Sequence, residues 1–544
     1  MQALCSLQAA AAHQVAARAA PRLQRPETCR AGAPVVVRRA ATVASRRHRV
    51  CKAVAAPERV EATAAAPGKL QQPGKAQDQV TVVYKFGGSS VASAERMMEV
   101  ADIVCSFPEH LPCVVLSAMG KTTNLLLQCG EEALRTDASN IRSLAPLKAI
   151  QDLHRETAQK LRVDHACIEE VEALLKQLEQ LLVGISIMQD LTPRAKDSLV
   201  SFGERLSTRL FAAFLNAQGI KAKQYDAYAI GVTTNDNFVN AEVNYQLTLP
   251  AVKEALTFKP GQERHLPIVT GFLGRGLQTG AITTLGRGGS DLTCTLLGAS
   301  LGLPEVQVWK DVDGVLTADP RVVSTATPVA RLTFEEATEL AVFGATVLHP
   351  LAMQPAHECN VGVRVKNSYN RTAPGTLITE ERAMEDVLVT SVVIKSNVTL
   401  VDITSTRMMG QYGFLAKVFD VFARNKISVD VVATSEVSVS LTLDPAKTMW
   451  ERDLITDELE HLMHDFEGIA EAHYRRGMAI ISLICNVQRT SEILERVFRV
   501  FGREKINVQM LSQGASKTNI ALIVNDEEAK AALRALHQEF FGSC

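Results

Sequence analysis

The sequence predicts an α/β protein with a largely parallel sheet, followed by two smaller units that each pack one helix on a small sheet. Three observations carry this. Apolar β-type runs at 80–84 and 113–116 alternate with helical patterns, as strands and crossover helices of a parallel sheet do. A Leu- and Glu-rich stretch at about 145–190 has helical spacing, and further strand candidates follow at 268–271, 281–284 and 305–309. From about 387 the texture changes to β-branched runs separated by single amphipathic helices, and an internal repeat appears. Leu415, Val418, Phe419, Val421, Phe422, Arg424, Lys426, Ile427 and Val429 recur, 79 positions later, as Leu494, Val497, Phe498, Val500, Phe501, Arg503, Lys505, Ile506 and Val508. The Leu, Val, Phe, Phe set lies on one helix face, and the following Ile-x-Val is strand-like.

At 544 residues and 47% hydrophobic, the chain is long enough for three or four folding units with large cores. Its formal charge of -1 is unevenly spread. Residues 1–56 carry nine Arg, Lys52 and a single acid, Glu27, which leaves 48 basic and 58 acidic residues beyond them, a net -10. That balance disfavours nucleic acid as a partner. An Ala- and Arg-rich, acid-poor beginning reads as an organelle transit peptide, with a disordered basic tail as the other reading. Composition alone does not separate plastid from mitochondrion. An Ala-, Pro- and Gln-rich linker follows at 57–79. No apolar run approaches the roughly 18 residues of a membrane span, so no membrane partner is expected. The 11 Cys never form a Cys-x-x-Cys pair, which argues for a reducing compartment and against a structural zinc site; no metal-ligand cluster stands out.

Four segments carry chemistry. Lys85-Phe-Gly-Gly-Ser-Ser-Val91 ends the first strand and precedes a helix expected at 94–105. Glycines let backbone N–H groups approach phosphate oxygens, and a lysine adds positive charge, although a strand, Gly-Gly and helix can also be purely structural. Gly286-Arg-Gly-Gly-Ser-Asp291 opens a second helix, at about 291–302. Ser290 and Asp291 can serve as caps, but capping does not explain Arg287, whose planar fork suits a carboxylate. Ser201-Phe-Gly-Glu204 reads first as a capping box at the start of a helix running to about 216, and second as a carboxylate for a substrate ammonium. Trp309-Lys-Asp-Val-Asp-Gly-Val315 leaves a strand and ends in Asp319-Pro-Arg321; Asp-Gly suggests a plain turn, while its place after a strand suits a ligand loop. Neither glycine segment fits the P-loop or the dinucleotide fingerprint.

Together, in order and spacing, these four segments resemble the aspartate kinases of the amino acid kinase family, over residues 80–544. The C-terminal repeat looks like their tandem ACT domains, and the stretch 408–430 resembles the plant monofunctional, lysine-sensitive type. The resemblance implies an amino acid kinase fold, a mostly parallel sheet sandwiched by helices, at 80–382, and two ferredoxin-like ACT domains at 387–544, the first (about 398–475) inserted in the second. It implies transfer of the γ-phosphate of ATP, with Mg2+, to the β-carboxylate of L-aspartate, leading into lysine, threonine and methionine biosynthesis in the chloroplast. Lys85 and Asp291 are the implied catalytic residues. Gly88, Ser89, Lys310, Asp311 and Arg321 join Lys85 at ATP, and Thr123, Glu204, Arg287 and Ser290 bind aspartate. Some family members have a lysine at the position of Thr346, so the nucleotide contact that position makes in them is not carried over to this sequence.

An amino-acid effector needs a carboxylate for its ammonium, and the first repeat has Asp430 where the second has Gln509. Effector binding is therefore placed on the first copy, at Met408, Gly413, Phe414, Leu415, Asp430 and Ser435, with a solvated strand-edge Asp430 as the alternative. Lysine is the expected effector and S-adenosylmethionine a second candidate; ACT units imply a homodimer or larger assembly. Competing functions are another amino acid kinase, for acetylglutamate or glutamate, and an inactive amino-acid sensor. The tandem repeat and the first motif oppose the former, and Lys85, Arg287 and Asp291 oppose the latter. A fused homoserine dehydrogenase is excluded by length.

Overall fold

The computed structural model describes residues 70–542 apart from 75, 346–347, 385–386, 406–411, 436, 444–455 and 515. The transit-peptide reading, most of the linker, Thr346 and Met408 lie outside the described residues.

The first part runs β1 (Val82–Phe86), α1 (Ala94–Cys105), β2 (Pro112–Leu116), α2 (Thr122–Ala133), α3 (Ala145–Leu161), α4 (His165–Met188) and α5 (Pro193–Ala217). It continues through β3 (Ala222–Tyr225), β4 (Thr233–Thr234), α6 (Tyr245–Leu256), β5 (Leu266–Thr270), β6 (Leu273–Gly276), β7 (Ile282–Thr284), α7 (Gly289–Leu301) and β8 (Glu305–Lys310). β9 (Arg331–Thr333), α8 (Phe334–Val342), α9 (Pro350–Glu358), β10 (Gly362–Asn367) and β11 (Thr376–Thr379) complete it. The main sheet has the order β3-β5-β2-β1-β8-β10-β11-β9, and every pairing from β3 to β10 is parallel. β1 is buried along its whole length, as a central parallel strand covered on both faces must be. Successive side chains take opposite faces. Tyr84 meets Phe107, beyond α1, edge to face at 6.3 Å, and Lys85 turns the other way to meet α7 at Asp291.

The C-terminal part comprises β12 (Val389–Thr404), α10 (Phe414–Arg424), β13 (Val429–Thr434), β14 (Ser438–Leu443), α11 (Thr456–Asp465), β15 (Glu471–Cys485), α12 (Thr490–Glu504), β16 (Met510–Ser512), β17 (Asn519–Asn525) and α13 (Asp526–Phe541). Its strands form one antiparallel sheet, β13-β14-β12-β15-β17-β16. β12 and β15 are long because each serves both repeats. Thr399–Thr404 of β12 pair with β14, the register shifts around Lys395–Leu400, and Val389–Lys395 pair with the far half of β15. Each repeat has its own apolar cluster, one around Val418, Val421 and Phe422, the other around Val497, Val500 and Phe501. The two repeat helices also end identically. Lys426 (φ 54°) and Lys505 (φ 58°) turn left-handed, and the next N–H, of Ile427 or Ile506, donates back to Phe422 O (3.0 Å) or Phe501 O (2.9 Å). This bond returns an orphan carbonyl to use at the helix end.

Three expectations are corrected. The 145–190 stretch is two helices, broken where Arg162 turns left-handed and Asp164 caps α4 by accepting from Cys167 N at 3.0 Å. In the second repeat, the strand starts at Met510 rather than at Ile506-x-Val508. The capping-box reading of Ser201–Glu204 fails, because α5 starts eight residues earlier: Thr192 accepts from Ala195 N at 3.1 Å and Pro193 occupies the first turn. Gly203 therefore sits inside a helix, at a cost of about 1 kcal/mol relative to Ala. A Cβ there would lie 2.6 Å from the Ala118 Cβ, so the glycine permits a close approach of α5 to the loop after β2.

Candidate active site

Lys85 is in register with Val308, so Lys310, two residues further along the adjacent parallel strand, leaves the sheet on the same face. Asp291, in the first turn of α7, stands between the two lysines. Its carboxylate lies 2.6 Å from Lys85 Nζ and 3.7 Å from Lys310 Nζ. The side chains of Lys85 and Asp291 are each only 9% exposed. Burial by itself would raise the Asp291 carboxyl, but the two ammonium groups prevail and hold it below the ordinary carboxylate range. Burial pulls Lys310 below the usual lysine value, opposed by Asp291 and reinforced by Lys85. The three groups sum to one positive charge in a nearly dry setting.

Glu204 lies beside them. Its Oε1 accepts from Ala118 N at 3.2 Å, and its Oε2 is buried without a hydrogen-bond partner among the described residues. Burial pushes the Glu204 carboxyl up to about 8, against the Ala118 amide, the backbone at its own position and Lys85, which all lower it. A buried oxygen without a partner calls for an explanation, and a ligand donor is one.

Two loops frame the charges. Gly88 presses on the loop after β2: a Cβ there would lie 2.8 Å from Ala118 O, and Gly120 N donates to Gly88 O at 3.0 Å. Ser89, next in line, is exposed. On the other side, Gly286 (φ 69°) and Gly288 (φ 71°) adopt the left-handed conformation that leads the chain from β7 into α7. Asp197 anchors that loop from α5, accepting from Thr284 N at 3.0 Å, Thr284 Oγ1 at 2.7 Å and Val239 N at 3.0 Å. Arg287 is exposed at the loop tip, Ser290 and Thr123 are half-buried, and Ser290 packs against Gly271.

Not every expected residue joins this group. Arg321 is 87% exposed and held by Asp319 through two parallel bonds, at 3.0 and 2.8 Å. Arg321 and Asp311 instead line a cavity of about 580 Å³ beyond Lys310. Among the described residues, no group of three or more His, Cys, Asp or Glu is arranged to hold a metal ion.

In the first repeat, Gly413 (φ 80°) caps α10, Phe414 is buried in the local core, Leu415 is 41% exposed, and Ser435 closes the turn after β13 with Ser438 at 2.7 Å. Asp430 is not the solvated strand-edge residue of the alternative reading. Its side chain is 8% exposed and accepts from Lys395 Nζ, on β12, at 2.8 Å. Sequence reasoning missed Lys395, Asp197 and His349. The last stacks its Cβ under Gly288 and keeps a buried Nδ1 without a hydrogen-bond partner among the described residues. No local pattern marks any of them, because each acquires its role through a contact far along the chain.

Comparison with known proteins agrees with this arrangement. The amino acid kinase family model matches residues 80–367, and an ACT domain model matches 401–449 and 481–540. Aspartokinase 1, chloroplastic, of Arabidopsis thaliana is 58% identical over 464 residues, 85% of this chain and 81% of the relative. Lysine-sensitive aspartokinase 3 of Escherichia coli is 36% identical over 461 residues, 85% of this chain and 99% of that one. Among solved structures, E. coli aspartokinase III in complex with aspartate and ADP (R-state) matches with a TM-score of 0.71 at 36% identity, covering 85% of this chain and 100% of that chain. The same enzyme with lysine and aspartate (T-state) matches with a TM-score of 0.70 at 35% identity, covering 85% and 99%. With a parallel-sheet kinase core, a tandem ACT sheet and relatives spanning both, the chain belongs to the aspartokinases of the amino acid kinase family.

Proposed function

We propose that this protein transfers the γ-phosphate of Mg-ATP to the β-carboxylate of L-aspartate, giving 4-phospho-L-aspartate and ADP. The observation that carries the reading is the buried, net-positive group Lys85–Asp291–Lys310 with Glu204 alongside. An aspartokinase captured with aspartate and ADP shares the fold at a TM-score of 0.71, which supports it.

The β-carboxylate is ionised at neutral pH, with a reference pKa of about 4, so the reaction needs no general base. A carboxylate oxygen bonds to the γ-phosphorus as the bond to the β-phosphate oxygen breaks, and ADP departs with that electron pair. The obstacle is repulsion between two anions. Lys85 and Lys310 offset it, and Asp291 fixes Lys85 in place. The backbone at Gly88 and Ser89 faces the phosphate, Arg287 takes the α-carboxylate, Glu204 takes the ammonium, and Thr123 and Ser290 add hydrogen bonds. Asp311 and Arg321 line the nucleotide's side. A magnesium ion brought in with the nucleotide would supply further charge compensation at the phosphates, and Asp311, the exposed carboxylate next to Lys310, would be the residue to meet it. Catalysis then rests on positioning and charge compensation.

We assign 80–382 to the kinase domain and 387–544 to a regulatory region whose first ACT unit, about 398–475, is inserted in the second. Both units share β12 and β15. L-lysine is the proposed effector, read at Asp430 with Gly413, Phe414, Leu415 and Ser435, and a lysine-sensitive relative is 36% identical. Lys395 already offers Asp430 an ammonium, so an effector's own ammonium has to take its place. Leu415, Phe419 and Phe498 remain exposed on the repeat helices and favour a homodimer. Residues 1–56 are the proposed address to the plastid, in line with the chloroplastic Arabidopsis relatives.

Replacing Lys85 by Ala is expected to lower kcat by about 10²- to 10³-fold with a much smaller effect on the aspartate KM; near-wild-type turnover in a coupled ADP assay contradicts the assignment. Because Glu204 is protonated below about pH 8 in the free site and has to ionise to hold an ammonium, the aspartate KM should fall about tenfold per unit as pH rises towards 8 and then level off. Calorimetry at neutral pH should register proton release on binding, and Glu204→Gln should flatten the profile; a pH-independent KM in the native protein would remove Glu204 from the ammonium site. For regulation, turnover of Asp430→Ala at saturating lysine should match its turnover without lysine, and inhibition at native lysine concentrations would place the effector elsewhere.

A further inference from the structure

The loop that leaves β8, from Lys310 to Val323, does not rest on the kinase sheet alone. Val392 N, on β12, donates to Thr317 O at 2.9 Å, and Ser391 Oγ donates to Leu316 O at 3.0 Å and Thr317 O at 3.1 Å. Thr317 Oγ1 meets His537 Nε2 of α13 at 2.9 Å in a buried hydrogen bond, and Arg534 Nε donates to Val322 O at 3.2 Å. Ala318 and Val323 are buried in the same apolar cluster as Val389, Val392, Leu533 and Leu536. The nucleotide loop is thus built into the core of the second repeat.

The cavity of about 580 Å³ beyond Lys310 has two walls as a result. One is the loop itself, with Asp311, Leu316 and Arg321; the other is Ile394 of β12 with Lys530 and Leu533 of α13. Apolar faces with a few polar groups, at this size, suit a nucleotide. Arg321 is already engaged by Asp319. Lys530 is exposed, and no carboxylate among the described residues lies within ion-pair distance of it.

We propose that the C-terminal sheet supplies one wall of the nucleotide cavity and that Lys530, on the last helix, binds the polyphosphate of the nucleotide. The inference rests on the reading of this cavity as the ATP site, and it adds a ligand from outside the kinase domain. It also makes nucleotide affinity depend on how the second repeat is seated against the loop.

The test compares ATP KM, aspartate KM, kcat and calorimetric ADP affinity in the full chain carrying Lys530→Arg, Lys530→Met, Lys530→Glu or Asp311→Asn. Lys530→Met should raise the ATP KM and weaken ADP binding about tenfold, Lys530→Glu more, and Lys530→Arg least, with the aspartate KM unmoved. A purely structural role would not grade with charge, and an exposed side chain leaves the fold intact in all three. If Asp311→Asn raises the ATP KM while the Lys530 variants leave it unchanged, the ATP reading stands and the second wall is overturned. If none of the four variants moves the ATP KM, the cavity is not the nucleotide site and both fall.

Discussion

Everything in the proposed chemistry depends on one carboxylate held between two lysines at the ends of neighbouring parallel strands. Taking such charges out of water costs several kcal/mol per ion, which a single well-formed pair hardly recovers. Lys85, Lys310 and Asp291 do not balance: they leave one positive charge buried, 2.6 Å and 3.7 Å from the shared acid. An anion entering this space relieves the imbalance. That is why a site built to bring a phosphate against a carboxylate can be preorganised before either arrives. Asp291 also occupies the first turn of α7, where the helix end favours negative charge.

The surroundings make the arrangement rigid. Parallel register sets Lys85 and Lys310 on one face, Gly203 lets α5 bring Glu204 to Ala118, and Asp197 ties the strand before the second glycine loop to the same helix. The C-terminal part grips the other exit from the cluster, α13 through His537 on Thr317 and β12 through Ser391 on Leu316. β12 then links the two regions physically. Ser391 and Val392 touch the nucleotide loop, and Lys395, on the same strand, holds Asp430 of the first repeat. A ligand that competes for Asp430 acts three residues from the strand positions that hold the loop.

Much of this was legible locally. Lys85-Phe-Gly-Gly and Gly-Arg-Gly-Gly-Ser-Asp could be read because a strand end, glycines and a helix start are all short-range signals, and the structure puts them at β1 and α7. The repeat could be read because the same face and the same helix ending recur. Ser201–Glu204 misled for the same reason that the others succeeded: a cap pattern is local, whereas the force that places Gly203 and Glu204 mid-helix is the packing of α5 against a loop about 85 residues earlier. Lys395 beside Asp430, and Lys530 across the cavity from Asp311, belong to separate stretches of chain, so no window of sequence joins them. Met408 lies outside the described residues, and its place at the effector site stays a proposal.

The most direct measurement is the turnover of Asp291→Asn with L-aspartate and Mg-ATP, alongside its thermal melt. With the melt showing a folded protein, kcat should fall about 10²-fold or more, because Lys85 loses the partner that aims it and the two ammonium groups repel. A folded Asp291→Asn that turns over like the native protein would contradict the account.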